Sequence, residues 1–182
     1  MKRIASAHAR SMAIQPCFII GTRDAQGTAN FAPITWASVT YNDDAKQFVL
    51  VISMNGAKKT KENLAATGVL SANVVNEDMV ALVDFLGQRT GLEGPKLGML
   101  YETGTGLTVD VPTLTASPMV YECVLDQSVT YGDTVTYFCP IKGVQLDENV
   151  DDTAHFPLNA LRPVVYNGID GGYHSLGEVL TR

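Results

Sequence analysis

Long apolar runs and basic charge are both scarce in this sequence, and each scarcity excludes a class of protein. No apolar stretch approaches the roughly 20 residues that a membrane helix requires. Lys and Arg number 13 against 19 Asp and Glu, which leaves a net charge of -6 at pH 7. Nonspecific nucleic-acid binding needs a broad basic face that displaces counterions. We therefore expect neither a membrane nor nucleic acid among the partners.

Cysteine and histidine are too few and too scattered to indicate a metal site. Cys17, Cys123 and Cys139 are odd in number, and no two lie at the close spacing of a zinc or iron–sulfur ligand set. The 3 histidines are equally scattered. We interpret the cysteines as buried thiols on strands in a reducing compartment.

The first residues, MKRIASAHARSMAIQPCFIIG, show some features of a signal peptide. Gln15 and Pro16 interrupt the apolar run, however, and no small-residue cleavage site follows. The expected location is therefore cytoplasmic. A length of 182 residues with 46% apolar and 18% charged residues is typical of one globular domain, which we assign to residues 1–182.

Val and Ile are concentrated in short runs separated by turn residues, a pattern typical of β-strands. The runs are CFIIGT, FVLVIS, VLSANVV, MVYECVL, TVTYFCPI and LRPVVY. Between the first two, residues 24–27 predict a tight turn and residues 29–41 a return strand. A second hairpin is predicted around Gly132 and Asp133. Many short strands with Gly-rich turns indicate an antiparallel barrel or sandwich.

Helix signals are fewer and confined to the middle of the chain. One helix is predicted over residues 60–67, ended by Gly68, and a longer one over residues 76–89 with Asn76 as its cap. The apolar stripe of the longer helix is expected to pack in the core. Residues 91–118 are rich in Gly, Pro and Thr, which predicts a long surface segment that covers a site or a subunit interface.

Three of the thirteen basic residues, Lys58, Lys59 and Lys61, are crowded at the start of the first helix. The helix dipole disfavours cations there by ~0.3–1 kcal/mol each. A bound phosphate would remove this conflict by pairing with the lysines and the free N–H groups together. The alternative is a solvated loop with flexible lysines.

Thr60 is predicted to cap this helix by accepting a hydrogen bond from the N–H of Glu62 or Asn63. The familiar phosphate motifs are missing, because no GxxxxGK[ST] precedes Thr60 and the GTG at residues 104–106 lacks the third glycine of a dinucleotide-binding turn. The expected anion therefore lies on a β-rich scaffold.

The order of these segments resembles the flavin reductase-like proteins with an FMN-binding split barrel, including the flavoredoxins. That family carries a G-T-x-D-x-x-G-x-x-N-x-A-P-x-[ST] hairpin, a hydrophobic strand, a T-x-E-N helix start and a strand ending in N-V. The matching residues are Gly21, Thr22, Asp24, Gly27, Asn30, Ala32, Pro33, Thr35, Thr60, Glu62, Asn63, Asn73 and Val74. The family's D-K-F segment is absent, and only GPKLGML around Lys96 stands in its place.

The resemblance implies a mainly β fold, an antiparallel split β-barrel of Greek-key type with a few helices, and an FMN near the interface of a homodimer. The residues implied to line the isoalloxazine and ribityl side are Asn30, Ala32, Pro33, Thr35, Trp36 and Ser38. The residues implied to hold the phosphate are Ser53, Lys58, Lys59, Thr60 and Asn63.

The residues themselves support part of this assignment. Pro33 removes a backbone donor, so it favours a sheet edge that is free to present backbone groups to a planar ring. Trp36 is interpreted either as a core or interface aromatic or as a flavin contact. Ser38 and Ser53 are otherwise strand residues in polar surroundings. His174 is either an exposed loop residue or a group that approaches the flavin or a nicotinamide.

The resemblance implies an FMN-dependent oxidoreductase that takes hydride from NADH or NADPH and passes electrons to free flavin, ferric iron or a protein acceptor. No catalytic acid, base or nucleophile is then needed, and the sequence shows no motif for one. One alternative is a non-enzymatic electron carrier with the same FMN. Another is a barrel that binds a different phosphorylated ligand or single-stranded nucleic acid, although stacking aromatics interleaved with basic residues are missing.

Overall fold

The structure is a computed structural model that describes residues 3–6, 8–9, 11–96, 99–152, 156 and 158–178. Its strands are β1 Ile14–Pro16, β2 Phe18–Arg23, β3 Ala29–Ile34, β4 Ala37–Asn42, β5 Gln47–Met54, β6 Val69–Val74, β7 Thr103–Thr105, β8 Pro112–Leu114, β9 Met119–Val124, β10 Gln127–Tyr131, β11 Thr134–Leu146, β12 Val164–Asn167 and β13 Tyr173–Ser175. Its α-helices are α1 Lys59–Thr67 and α2 Val80–Gly87, and 3-10 turns cover Glu77–Met79, Gly91–Glu93 and Leu158–Leu161.

The six apolar runs correspond to strands β2, β5, β6, β9, β11 and β12, which confirms a mainly β protein with few helices. The main sheet is antiparallel and has the order β3-β2-β6-β9-β11-β5-β4, with β10 added beside β11. Strand β11 joins the two halves of this sheet. Its residues 135–140 pair with β5 and its residues 141–146 pair with β9, with an irregularity between Ile141 and Gly143.

The return strand predicted over residues 29–41 is two strands. β3 pairs only with β2, β4 pairs only with β5, and the two lie at opposite edges of the sheet. The chain crosses between the edges at Thr35 and Trp36, where the N–H of Ala37 donates to the carbonyl of Thr35 at 2.9 Å. The presence of Pro33 in an edge strand confirms the edge that its missing N–H predicts.

Both predicted hairpin turns are confirmed, and each contains a glycine with positive φ. At the first, Gly27 has φ 87°, and the Asp24 carboxylate accepts hydrogen bonds from the N–H groups of Gln26 and Thr28. At the second, Gly132 has φ 61° between β10 and β11. A left-handed conformation is strained for most residues other than glycine, so the positions of these glycines predict the turns.

Two apolar clusters lie on the two faces of β2. Ile19 points to one face, where it packs with Phe31 and the buried side chains of α2, including Leu86. Ile20 points to the other, where it packs with Ile52 and with Leu64 of α1. Consecutive strand residues face opposite sides, so β2 places one helix on each face of the sheet.

The two predicted helices are confirmed, except for the cap of α1 and the exact bounds of the longer helix. Gly68 ends α1 with φ 68°, and Asn76 accepts a hydrogen bond from the N–H of Met79, both as predicted. The capping role predicted for Thr60 is wrong, because Lys58 is the residue before α1 and no side chain caps the helix. The longer helix begins as a 3-10 turn and ends at Gly87, two residues before its predicted end.

Part of the predicted surface segment 91–118 is buried. β7 and β8 pair with each other, and Val111 and Leu114 are among the buried core residues. Glu122 of β9 holds the segment in place, because its carboxylate accepts hydrogen bonds from the N–H groups of Leu107, Thr108 and Val109. In the described part of the chain, no helix has both the length and the apolar character needed to cross a membrane.

Candidate functional site

A cavity of about 720 Å³ lies beside the free edge of β3. Its walls are residues 30 and 32–34 of β3, Met54 at the end of β5, the start of α1, the end of α2 and the segment 90–96. The volume lies within the range of small-molecule sites, ~300–1,000 Å³. Among the described residues no second strand pairs with β3, so the backbone groups on this side are available to a ligand, apart from the carbonyl of Phe31, which accepts a hydrogen bond from Lys96.

The charge of the cavity is opposite to that of the whole chain. Among the described residues, four basic side chains line it, Lys58, Lys59, Arg89 and Lys96, against one carboxylate, that of Glu93. The full chain carries a net charge of -6. Cations concentrated in one concave region of an acidic protein raise the local concentration of small anions.

The start of α1 contributes backbone donors to this cavity. The first N–H groups of any helix lack partners within the helix, and here they belong to Lys59 and Thr60, since the N–H of Lys61 already reaches the carbonyl of Lys58 at 3.0 Å. Lys58 is exposed and forms no ion pair with any residue that the structure describes. The combination of a helix start with an unpaired lysine suits a phosphate group.

The other two lysines of the cluster have protein partners. The ammonium of Lys59 lies 3.4 Å from Glu62 within α1. Lys61 turns away from the cavity and donates to the carbonyls of Gly56 and Asp133, at 2.9 and 3.3 Å. Lys61 therefore connects the loop before α1 to the β10–β11 turn. This structural role accounts for the presence of Lys61 in the cluster, and no bound anion is needed to explain it.

A buried chain of polar side chains fixes α1 on the β2–β3 hairpin. Asn30 donates from Nδ2 to Oγ1 of Thr60 at 3.2 Å, and Asn63 donates from Nδ2 to Oγ1 of Thr22 at 3.0 Å. Thr60 and Asn63 are each 1% exposed and lie one turn apart on the same face of α1. Their hydrogen bonds set the position of the helix start relative to β3.

Lys96 reaches the cavity from the central segment and is held by backbone carbonyls. Its ammonium donates to the carbonyl of Phe31 on β3 at 2.9 Å and to the carbonyl of Leu86 on α2 at 2.8 Å. Burial and the neighbouring charge of Lys58 lower the pKa of Lys96 to about 8. The charged form of Lys96 is therefore disfavoured by its surroundings.

The residues predicted to bind the cofactor fall into three groups. Asn30, Ala32, Pro33, Lys58, Lys59 and Thr60 line the basic cavity together. Asn63 is buried behind them and does not reach the cavity wall. Thr35, Trp36, Ser38 and Ser53 line a different hollow of about 360 Å³.

This second hollow lies beside the crossing from β3 to β4 and beside β5. Ile34 and Met54 face the basic cavity, whereas their neighbours Thr35 and Ser53 face the hollow, as expected for consecutive residues of extended chain. Trp36 is 49% exposed here, so it is not a core residue. The hydroxyls of Ser53 and Thr136 lie 2.8 Å apart, which accounts for Ser53 within the sheet.

Other candidate residues lie away from the basic cavity. His174 is exposed on β13, and the rings of Tyr166 and Tyr173 contact each other with centroids 5.4 Å apart. None of the three lines the basic cavity. Among the described residues, no group of three or more His, Cys, Asp or Glu side chains is arranged to hold a metal ion.

The predictions expected segment 91–118 to cover a site or an interface, but they did not name the cavity residues that follow α2. Arg89 lines the cavity and donates to the carbonyl of Phe85, and its guanidinium carbon lies 3.9 Å from the centroid of the Phe85 ring. Gly91 and Lys96 complete the wall. The local sequence marks this segment only as rich in glycine and proline, because its partners on β3 are distant in the chain.

Comparisons with solved structures show the same fold at low sequence identity. The flavoredoxin of Desulfovibrio vulgaris (Miyazaki F) has a TM-score of 0.87 and 23% identity, covering 99% of this chain and 97% of that chain. The flavoredoxin from Methanosarcina acetivorans has a TM-score of 0.87 and 19% identity, covering 100% and 95%. An FMN-binding protein from Thermus thermophilus, solved with bound 1-cyclohex-2-enone, has a TM-score of 0.77 and 21% identity, covering 100% and 96%.

These likenesses confirm the predicted antiparallel split barrel. A search of curated proteins found no significant match. The sequence matches the family described as "Flavin reductase like domain" over residues 10–177. Because this match spans nearly the whole chain and agrees with the observed fold, the chain belongs to the flavin reductase-like family.

Proposed function

We propose that this chain binds FMN in the basic cavity and acts as an NAD(P)H-dependent oxidoreductase. Membership of the flavin reductase-like family supports flavin-related oxidoreduction. The observation that carries the proposal is the meeting of four basic side chains, the start of α1 and the free edge of β3 around one cavity. The T. thermophilus protein of the same fold is described as FMN-binding.

The residues of the cavity fit the parts of FMN. Lys58 and the N–H groups at the start of α1 provide donors and charge for the phosphate. The backbone of β3 around Ala32 and Pro33 provides an unpaired strand edge for the planar ring. The hydrogen bond from Asn30 to Thr60 fixes the start of α1 relative to the edge of β3. When bound, FMN supplies the redox chemistry, and this chain supplies binding, orientation and access.

An absorption spectrum of the purified protein, before and after addition of FMN, tests the cofactor. We expect a yellow protein, or saturable binding when FMN is added. Lys58→Glu should weaken the binding by ~2 kcal/mol, because a charge-assisted contact is replaced by repulsion. Lys142→Glu makes the same change of charge at an exposed position outside the cavity and should have little effect. Equal binding by both variants would contradict the phosphate assignment.

The electron donor is tested by mixing the FMN-loaded protein with NADH or NADPH under anaerobic conditions. Prompt bleaching of the flavin band is expected for an enzyme. The absence of bleaching with either nucleotide would favour the second candidate, a non-enzymatic electron carrier. That candidate is supported by the two flavoredoxins that share the fold. The electron acceptor is proposed to be free flavin, ferric iron or a redox protein.

The chain is further proposed to form a homodimer. Large apolar side chains remain exposed on two hairpins of the sheet: Val39, Tyr41 and Phe48 lie on one face of β4–β5, and Val129 and Tyr131 of β10 lie on the opposite face. The rings of Tyr41 and Phe48 already contact each other, with centroids 5.0 Å apart. A second copy of the chain that packs on Val39, Tyr41 and Phe48 would remove their apolar surface from water.

A further inference from the structure

Arg89 is an oriented cation on the wall of the basic cavity. Its Nη1 donates to the carbonyl of Phe85 at 3.2 Å, and the Phe85 ring lies against the guanidinium. A guanidinium has five N–H donors, so this contact leaves most of them to another partner, and the exposure of Arg89 makes them accessible. Across the described residues, no carboxylate lies within 4 Å of Arg89, although Glu93 lines the same cavity.

The two ends of the cavity differ in polarity. The end at the start of α1 is lined by polar and basic side chains, those of Asn30, Lys58, Lys59 and Thr60. Apolar side chains also line the cavity, those of Pro33, Ile34, Met54 and Leu86. Pro33 lies three residues after Asn30 on β3, which is about 10 Å along a strand. The cavity therefore has a polar end near Asn30 and an apolar end near Pro33.

The charge of Arg89 belongs to the apolar end. The end of α2 lies against Pro33, since a Cβ atom added to Gly87 would lie 3.3 Å from Cγ of Pro33. The side chain of Arg89 extends back over Phe85 in this last turn of α2, whereas the chain after Arg89 leads to Gly91, beside Lys59. A phosphate at the start of α1 would therefore leave the charge of Arg89 uncompensated.

We propose that Arg89 and the apolar end of the cavity form a second ligand site, which binds a small apolar or aromatic carboxylate at the same time as FMN. This inference rests on the proposed function, since the phosphate of FMN is what occupies the polar end. The cavity of about 720 Å³ is more than twice the size of the smallest ligand sites, ~300 Å³, which leaves room for a second small molecule.

The chemistry of the site favours a carboxylate over a neutral group. A carboxylate accepts two parallel N–H groups from the planar fork of a guanidinium, and such charge-assisted pairs are stronger than neutral hydrogen bonds. The contact with Phe85 already fixes the guanidinium, so less side-chain freedom is lost when the ligand binds. The apolar wall around Pro33 and Ile34 would take the body of the ligand.

The test compares benzoate with benzamide, which has the same ring and nearly the same shape but no charge. Each is titrated into the FMN-loaded wild-type chain, and the flavin absorption band reports binding. We expect benzoate to bind roughly tenfold more tightly, because a hydrogen bond to a charged group contributes more than a neutral one. Added salt should reduce the preference for benzoate and leave benzamide affinity unchanged.

Three variants make the assignment specific to Arg89. Arg89→Gln removes the charge, so benzoate affinity should fall to that of benzamide while benzamide and FMN affinities stay close to the wild-type values. Arg89→Lys keeps the charge but loses the fork, so its benzoate affinity should lie between those of the wild type and Arg89→Gln. Lys142→Gln removes one positive charge at an exposed position outside the cavity and should keep the full preference.

Each failure has its own meaning. Benzoate that binds no more tightly than benzamide to the wild-type chain overturns the second site and leaves FMN binding intact. Benzoate that releases FMN into the filtrate also overturns it, because the two ligands then compete for one place. A preference for benzoate that persists in Arg89→Gln excludes Arg89 as its cause. A wild-type chain that takes up no FMN overturns the proposed function itself. The comparison on the wild-type chain does not require any variant to fold.

Discussion

Gly91 lies directly against the side chain of Asn30. A Cβ atom added to Gly91 would lie 2.3 Å from Oδ1 of Asn30 and 3.0 Å from Cβ of Lys59. The central segment therefore contacts β3 and α1 at the point where Asn30 holds Thr60. The absence of a side chain at position 91 is a geometric requirement of this wall.

Gly91→Ala tests that requirement. The added methyl group should push Asn30 away from Thr60 and cost about 1–3 kcal/mol of stability, as overpacking does elsewhere. We also expect weaker FMN binding. Gly177→Ala is the matched control, because a Cβ there meets nothing within 4 Å. Thermal unfolding of both variants measures this loss of stability. If Gly91→Ala is as stable as the wild-type chain, the wall accommodates the added methyl group without strain.

Thr60→Val tests the hydrogen bond between the hairpin and α1. Valine has nearly the same shape but no acceptor, so the Nδ2 group of Asn30 loses its partner in a part-buried place. The free energy of unfolding should fall by about 1–2 kcal/mol. Thr60→Ser keeps the hydroxyl and should lose less. Urea denaturation that ranks the serine variant below the valine variant would disprove a role for this hydrogen bond.

Glu122 should make stability depend on acid pH. Burial raises the pKa of this carboxyl, but hydrogen bonds from Val109, Gln145, Thr108 and Leu107 outweigh burial and hold it below the usual range. A lowered pKa in the folded state gives stability that is present above the unfolded value and is lost as the pH falls through the folded value.

The variant Glu122→Gln separates this effect from general acid denaturation. It should lower stability at about pH 7 by roughly 2–3 kcal/mol, because hydrogen bonds to a charged acceptor are lost. It should also reduce the fall in stability between about pH 5 and about pH 3. Denaturant titrations at several pH values measure the stability at about pH 7 and its dependence on pH. If stability falls with pH in Glu122→Gln as it does in the wild-type chain, the role assigned to the carboxylate is contradicted.

The cysteines should be inert in the folded protein. Burial raises the pKa of Cys17 and of Cys139 to about 12, and it raises the pKa of Cys123 as well. The thiolate is the reactive form, and all three side chains are buried. Iodoacetamide near pH 8 should label none of the 3 cysteines in the native chain and all of them after denaturation. Rapid labelling of the native chain would mean that one strand opens readily.

The proposed dimer is tested by sedimentation. The mass in solution should be twice the 19.6 kDa of one chain. Phe48→Lys should shift the protein toward the monomer, because it places a charge in the exposed cluster with Tyr41. Leu107→Lys changes another exposed apolar residue, outside these hairpins, and serves as the control. A wild-type mass of one chain would rule out the dimer.

Features that depend on neighbouring residues in the chain could be predicted from the sequence. Features that depend on contacts with distant residues could not. The glycines at positions 27, 68 and 132 and the cap at Asn76 all match the predictions. Thr60 does not, because a polar partner on β3 takes its hydroxyl in place of the helix's own N–H groups. The sequence predicts that Thr35 and Trp36 lie within one strand, because sequence alone does not show where an edge strand leaves its sheet.

The sequence by itself determined the antiparallel β class, the turns and the basic helix start, because each depends on backbone preferences within a few residues. Only the tertiary structure decided which cations share the cavity. Lys61 donates a hydrogen bond to the carbonyl of Asp133, 72 residues later in the chain. Lys96 donates one to the carbonyl of Phe31, 65 residues earlier. Contacts of that range follow from strand order and packing, which no local pattern encodes, so the cavity is a property of the folded chain.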